Sequence, residues 1–206
     1  AFNHDGSLVA TGCDDKKLRL VDVASGAMVR EVEHGAIVRA VAFNHDGSLV
    51  ATGDDDRKMR LVEVASGAVL REGVHGCPHN YVNAVAFSPD GSLVASGCSD
   101  GRLRLVDGGH HFCYMEIGQG HFHDGDSPLV AFSPDGSLVA TLNGHKKLRL
   151  VEAASGAVIY RVEHGRYVGT GGSVLAVAFN HDGSLVATGS EDKKLRLVEA
   201  ASGAVI

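Results

Sequence analysis

The sequence AFNHDGSL occupies residues 1–8 and returns at 42–49 and 178–185, and its variant AFSPDGSL occupies residues 86–93 and 131–138. The phenylalanines of these five copies lie 41 to 47 residues apart. This period is longer than that of ankyrin or tetratricopeptide repeats, which are built from helices. The chain is therefore predicted to contain five copies of one structural unit.

Each unit is predicted to contain four short strands and three turns. In the second unit the apolar run VRAVAF (38–43) is followed by Asn-His-Asp-Gly, where glycine accepts a positive φ at low steric cost. A second run, SLVATG, leads through a polar turn to a third run, KMRLVE, and a Ser-Gly turn precedes the fourth run. No stretch has a sustained apolar periodicity of 3.6 residues, so the predicted helix content is negligible.

A sheet with this pattern has apolar residues on both faces and would be unstable alone in water. Radial packing of such sheets buries both faces and leaves short, protected edges, which is the β-propeller architecture. The sequence thus predicts an all-β propeller of about five four-stranded antiparallel blades, with the first and last incomplete. Because the sequence starts inside one motif and stops inside another, residues 1–206 are expected to form a segment of a larger propeller or protein. The predicted blades span about 1–34, 35–76, 77–121, 122–165 and 166–206.

The composition argues against several classes of function. Nineteen basic and 25 acidic residues give a net charge of -6, so nucleic acid is not an expected partner. No apolar run approaches the roughly 20 residues of a membrane span, so no membrane association is expected. Four irregularly spaced cysteines do not indicate a disulfide framework. We expect an intracellular protein, cytoplasmic or nuclear, with no cofactor and no small-molecule substrate.

The repeated motifs resemble the WD40 repeat family. A repeat of that family begins with a His and continues with the turn sequence FSPDG and a strand that contains a small residue, a Ser or Thr and a Gly. A turn with an Asp follows, and then the sequence LWD. The tryptophan of that pattern is replaced by valine in all five units, at Val21, Val62, Val106, Val151 and Val198. In the family, a His, a Ser or Thr and an Asp form a hydrogen-bonded brace inside each blade. The histidine of the third unit is either His75 or His79. The resemblance assigns the structural brace to His34, Thr52, Asp56, Ser96, Asp100, His164, Thr188 and Asp192.

Two enzymatic interpretations compete with a structural one. The repeated His, Asp and Thr are the residue types of a hydrolytic triad, but an active site occurs once per domain and this set recurs, which favours the brace. A His-rich segment, residues 110–123, carries imidazole and thiolate groups that suit zinc or copper. It provides the alternative hypothesis of a metal-binding or enzymatic propeller. The residues of that cluster are His110, His111, Cys113, His121 and His123.

The favoured hypothesis is a non-catalytic scaffold that binds peptide or protein partners on the top rim of the propeller, with no catalytic residues and no bound metal. The loops before the first strand and between the second and third strands meet at this rim, so specificity is expected in its non-repeating residues. Its mixture of one arginine with several acids favours partner segments that carry Lys or Arg. The predicted rim residues are Arg39, Asp54, Asp55, Asn83, Ser99, Asn143, Leu175 and Glu191.

Overall fold

A computed structural model describes residues 1–75, 81–99, 102–107, 115–118, 129–143, 147–163 and 174–206 of the chain. In these ranges eighteen strands form five antiparallel sheets, and no helix is present. The strands are β1 (Leu8–Gly12), β2 (Lys17–Asp22), β3 (Met28–Glu33), β4 (Val38–Phe43), β5 (Leu49–Asp54), β6 (Lys58–Glu63), β7 (Val69–Val74), β8 (Val82–Phe87), β9 (Leu93–Cys98), β10 (Arg102–Asp107), β11 (Met115–Gly118), β12 (Leu129–Phe132), β13 (Leu138–Asn143), β14 (Lys147–Glu152), β15 (Val158–Glu163), β16 (Val174–Phe179), β17 (Leu185–Ser190) and β18 (Leu195–Glu199).

Each sheet is a meander, since neighbouring strands in the sheet are also neighbours in sequence. Blade 1 contains β1–β3, blade 2 contains β4–β7, blade 3 contains β8–β11, blade 4 contains β12–β15 and blade 5 contains β16–β18. Single bridges from Phe2 to Val9 and from Val205 to Val198 lie beside the three-stranded sheets. The all-β class and the five antiparallel sheets, with fewer strands in the first and the last, are as the sequence predicts.

The recurring motif builds the hairpin between the first two strands of a blade. In blade 2, Gly47 has a φ of 72°, a left-handed conformation that costs little without a Cβ. Asn44 Oδ1 accepts a hydrogen bond of 2.9 Å from Leu49 N, and Asp46 Oδ1 accepts one of 2.8 Å from Ser48 N. The side chains of the motif thus satisfy backbone donors that the tight turn leaves unpaired.

Alternation of side chains gives every blade two apolar faces. In blade 2, Val50 pairs with Val62 on one face, and Ala51 pairs with Leu61 on the other. The first pair packs against Leu18 and neighbouring residues of blade 1, and the second pair packs against blade 3. We call the face toward the preceding blade the rear face, and the face toward the following blade the forward face.

Four apolar clusters hold the described structure together, and each joins the forward face of one blade to the rear face of the next. Burial of one leucine or valine side chain stabilises the fold by about 1.5–3 kcal/mol, so these repeated contacts are the main source of inter-blade cohesion. Val62 and Val151, at the predicted tryptophan position, are fully buried in them. None of the described residues belongs to a helix long and apolar enough to cross a membrane.

Candidate functional site

Three inner strands carry the same irregularity at the top end of their blades. In β4, Val38 pairs with Asp54 and Ala40 pairs with Gly53, so Arg39 between them has no partner across the ladder. The same shift in β8 and β16 skips Asn83 and Leu175. These three are the predicted rim residues of the inner strands. A β-bulge of this kind redirects a side chain away from the regular pleat.

Arg39 joins two neighbouring blades at this rim. Its guanidinium donates hydrogen bonds to both carboxylate oxygens of Asp55, one from Nη2 to Oδ2 at 2.8 Å. The same guanidinium lies over the ring of Tyr81, with Cζ 5.0 Å from the ring centroid. This is a cation–π contact, and the paired geometry fixes the arginine in one orientation. Arg39 and Tyr81 stay about two-fifths exposed.

The carboxylates that act on Arg39 come from blades 1 and 2. The hydrogen bond that Arg39 donates to Asp55 raises the pKa of Arg39 above its ordinary value, and partial burial opposes this shift. The charge of Asp14 in blade 1 acts in the same direction as that of Asp55. The rim is therefore a mixed surface in which one cation is held between carboxylates and an aromatic ring.

Tyr81 is held in place by its own blade. Its backbone N donates a 2.8 Å hydrogen bond to Ser99 Oγ, and Ser99 N donates a 3.0 Å bond to the carbonyl of Tyr81. Two rim loops of blade 3 are therefore fixed to each other. We call Arg39, Asp55, Tyr81 and Ser99 the rim cluster. Sequence reasoning missed Tyr81, although it is a non-repeating aromatic residue at the position that Ile37 occupies in blade 2.

The other predicted rim residues differ in exposure. Leu175 and Glu191 of blade 5 are exposed, and Asn83 is half-buried. Asp54 is fully buried, because it is still part of β5 and pairs with Val38, so that Asp55 is the first residue of the turn. Asn143 is the last residue of β13. The surface of the rim accordingly includes Asp55 and excludes the Asp54 side chain.

Asp54 belongs to a buried charged network inside blade 2. His34 Nδ1 lies 3.0 Å from Asp54 Oδ2, and Arg60 donates to the same oxygen. Arg60 also donates to Asp56 and, through Nε at 2.9 Å, to Glu72 Oε2. The predicted brace residue Asp56 thus contacts arginine, while His34 contacts the carboxylate two positions earlier. The long Arg60 side chain reaches the turn from four residues away, a contact that the predicted brace did not include.

The polar cluster of blade 3 has a different composition. His75 Nε2 lies 2.9 Å from Ser96 Oγ, and Arg104 donates to His75 Nδ1. The guanidinium of Arg104 is always a donor, so Nδ1 of a neutral His75 ring must be the acceptor. The ring proton is then on Nε2, which donates a hydrogen bond to Ser96 Oγ. His75 is therefore a histidine that the structure places beside Ser96, and the alternative, His79, lies outside the described residues.

In blade 5 the turn aspartate also contacts an arginine. Arg196 Nη2 donates a 2.6 Å hydrogen bond to Asp192 Oδ2, and this contact lowers the pKa of Asp192 to about 2. Thr188 is buried on the adjacent strand. The same arrangement occurs in blade 1, where Arg19 contacts Asp15 at 2.5 Å. The arginine on the strand that follows this turn is thus a recurring partner of the turn aspartate in blades 1, 2 and 5.

Several predicted residues lie outside the described part of the chain. These include the brace residues Asp100 and His164 and the proposed metal ligands of the His-rich segment, His110, His111, Cys113, His121 and His123. Among the residues that are described, no group of three or more His, Cys, Asp or Glu side chains is placed to hold a metal ion. The alternative of a metal-binding propeller remains a prediction from sequence.

Comparison with known families agrees with this architecture. The family model for the WD domain, G-beta repeat, matches residues 1–22, 26–63, 73–107 and 162–199, well over half of the chain. The matched segments include strands of blades 1, 2, 3 and 5. A comparison with curated proteins gives no match. The repeated hairpins, the five meander sheets and this match together show that the chain belongs to the WD40 repeat family.

Proposed function

We propose that this protein is a non-catalytic scaffold that binds a peptide or protein segment across the top rim of blades 1 to 3. WD40 repeats in general provide scaffolds for protein interactions, and they are typically not enzymes. For this protein, we propose that the binding surface is the rim cluster of Arg39, Asp55, Tyr81 and Ser99.

The observation that carries this proposal is the pairing of Arg39 with Asp55 and Tyr81. A bulged strand position directs Arg39 out of the ladder, and two neighbours hold its guanidinium. Arginine and tyrosine are the residue types most enriched among residues that dominate binding energy, because they bring large contact area and directional hydrogen bonds. A preorganised pair of this kind loses little side-chain entropy when a partner binds.

The charge of the rim favours partner segments that carry Lys or Arg. On blades 1 to 3, Asp14 and Asp55 are acidic, and Arg39 is already paired with Asp55. A lysine or arginine of the partner can pair with the exposed carboxylate of Asp14, and the exposed Tyr81 ring adds an apolar surface to the same rim. Electrostatic complementarity of this kind raises the rate of association and excludes acidic partners.

The test compares binding of one captured partner to the unmodified chain and to rim variants. Cross-linking with mass spectrometry identifies the contacting segment, and fluorescence anisotropy of the synthetic segment gives its affinity. We expect Tyr81→Ala and Asp55→Ala each to weaken binding about tenfold or more. Replacing Lys and Arg in the segment by Gln should weaken it comparably.

The matched control is His45→Ala, an exposed residue in the turn between β4 and β5, at the opposite end of blade 2. It should bind like the unmodified chain, and thermal denaturation should show that all variants are folded. Unchanged affinity of both rim variants, or a preference for segments rich in Asp and Glu, would disprove the proposed site.

A further inference from the structure

Blade 4 has two arginines directly opposite each other on its two outer strands. Arg149 of β14 pairs with Arg161 of β15 in the strand ladder. In blades 1, 2 and 3 the corresponding arginine lies opposite a glutamate instead. These three pairs are Arg19 with Glu31, Arg60 with Glu72 and Arg104 with Glu116. Among the fourth strands that the structure describes, only that of blade 4 therefore has a cation opposite this arginine.

The glutamate of the other blades is a direct partner of the arginine. Arg19 Nε donates a 3.0 Å hydrogen bond to Glu31 Oε2, and Arg60 Nε donates one of 2.9 Å to Glu72 Oε2. Residues directly opposite each other in an antiparallel pair have Cβ atoms about 4.5–5.5 Å apart, and like charges in this position destabilise the sheet. Arg161 therefore puts a repulsive contact where blades 1 and 2 have an attractive one.

The sequence of blade 4 also lacks the acids of the turn before its third strand. The three aspartates at 54–56 in blade 2 correspond to Asn-Gly-His at 143–145 in blade 4. On the described strands β14 and β15 near this pair, the acidic side chain is Glu163, and Lys147 Nζ lies 2.8 Å from its carboxylate. The described part of this region thus has more positive than negative charge.

The two arginines differ in exposure, since Arg149 is half-buried and Arg161 is exposed. Burial, together with the charge of Arg161, lowers the pKa of Arg149. In blade 2, burial opposes the charge of Arg60 in the same way, but the hydrogen bond to Asp56 and the charge of Asp54 raise its pKa. A guanidinium stays protonated in proteins, so the lowered pKa of Arg149 expresses a cost that a bound anion would offset.

We propose that Arg149 and Arg161 bind a phosphate group on the outer strands of blade 4, where it takes the place of the glutamate carboxylate of the other blades. The planar guanidinium donates paired hydrogen bonds that match the oxygens of phosphate. A phosphate dianion balances two guanidinium charges, whereas a single carboxylate balances only one. The phosphate is either a free anion or a phosphorylated side chain of another protein.

This phosphate site is distinct from the rim cluster, which belongs to blades 2 and 3. It does not depend on the function proposed for that cluster, and either proposal can fail alone. The site also predicts a cost, because the chain without a bound anion keeps two like charges side by side. Restoring the glutamate should therefore remove phosphate binding and stabilise the fold at the same time.

The test compares the full chain in sodium phosphate and in sodium chloride of equal ionic strength. We expect phosphate to raise the Tm, because a ligand that binds only the folded state stabilises it, and isothermal titration calorimetry gives the affinity. Arg161→Glu copies the pairing of blades 1 and 2, so it should fold and should have a higher Tm in chloride. It should bind phosphate about tenfold more weakly or worse, because a charge-assisted hydrogen bond is lost. Arg161→Lys keeps the charge but not the paired donors, so its affinity should be intermediate.

The matched control is Arg71→Glu, which makes the same change of charge at an exposed arginine of the outer strand β7, opposite Leu61. It should bind phosphate like the unmodified chain. An equal Tm in phosphate and chloride would overturn the proposal, and so would equal affinities of Arg161→Glu and the unmodified chain. An equal loss of affinity in Arg71→Glu would also overturn it, because the effect would then come from net charge alone.

A phosphoserine peptide and its unphosphorylated form distinguish the two sources of the phosphate. Tighter binding of the phosphopeptide than of inorganic phosphate, lost in Arg161→Glu, would support a phosphorylated protein as the ligand. Equal affinity for the phosphopeptide and inorganic phosphate would support a free anion. Equal binding of the two peptides to the unmodified chain would contradict recognition of phosphate at this site.

Discussion

Blades 2 and 3 share the hairpin between their first two strands and the apolar faces of their second and third strands, but they hold their buried histidines differently. In blade 2, His34 lies beside the carboxylate of Asp54, which also accepts from Arg60. In blade 3 the position of Asp54 is taken by Cys98, and His75 contacts Ser96 and Arg104 instead. The comparison teaches that the backbone of this repeat accommodates a histidine that contacts either a carboxylate or a hydroxyl and an arginine.

The largest change in the free energy of unfolding should follow from replacing Arg60 of blade 2. We expect Arg60→Met to lower the free energy of unfolding by about 3–5 kcal/mol, because it leaves the buried Asp54 carboxylate without its cation. Urea denaturation followed by circular dichroism measures the change. Adding Asp54→Cys, which copies blade 3, should recover a large part of the loss. Equal instability of the single and double variants would show that the buried charge is not the cause.

A second comparison concerns the hydroxyl beside each histidine. Ser96→Ala should cost about 0.5–1.5 kcal/mol, because it removes the buried hydrogen bond between Ser96 Oγ and His75 Nε2. Among the described residues, the buried hydroxyl of Thr52 in blade 2 has no hydrogen-bond partner, so Thr52→Val, which keeps the shape, should be neutral or slightly stabilising. The same denaturation experiment compares both variants. A greater loss in Thr52→Val than in Ser96→Ala would contradict the assigned contacts.

A third difference lies in the turn between the second and third strands. Arg57 of blade 2 has a φ of 71°, and the corresponding residue in the sequence of blade 3 is Gly101. Arg57→Gly should raise the free energy of unfolding by up to about 1 kcal/mol, because glycine adopts this conformation without a Cβ clash. Thermal denaturation measures the gain. A clear loss of stability would mean that the Arg57 side chain contributes more than the strain costs.

The smallest expected effect is on the pH dependence of stability. Hydrogen bonding from Lys58 lowers the pKa of Glu72 in blade 2. A carboxylate with a lowered folded-state pKa stabilises the fold above its unfolded-state pKa, and this contribution disappears as the pH falls through the folded-state value. Glu72→Gln should therefore reduce the loss of stability on acidification below about pH 4.5. Ser96→Ala should leave that slope unchanged, and an equal slope in Glu72→Gln and the unmodified chain would argue against the contribution.

The features that repeat were the ones that the sequence could predict. Five copies of the Asp-Gly turn indicate five hairpins, and the two-faced apolar pattern indicates stacked sheets. The common register of Arg39, Asn83 and Leu175 also follows from the repeat, whereas their role in binding stays a prediction. These predictions need only local pattern and spacing.

The features that depend on side-chain reach were not predictable in the same way. Asp54 and Asp55 are identical residues side by side, and the bulge in β4 decides which of them pairs inside the sheet. The contact of Arg60 with the turn depends on the conformation of a long side chain. The stacking of Arg39 on Tyr81 depends on the separation of two blades. Sequence spacing alone determines neither the place of the bulge nor these two side-chain contacts.

The bulges of β4, β8 and β16 have a consequence for how this protein can change. A residue skipped by the ladder has no neighbour directly opposite it, so its replacement leaves the interstrand hydrogen bonds in place. Arg39, Asn83 and Leu175 already differ in charge and polarity on an otherwise repeated frame. Mutation at these sites is thereby uncoupled from the pairing of the strands, and its cost in stability is limited to side-chain contacts such as those of Arg39 with Asp55 and Tyr81.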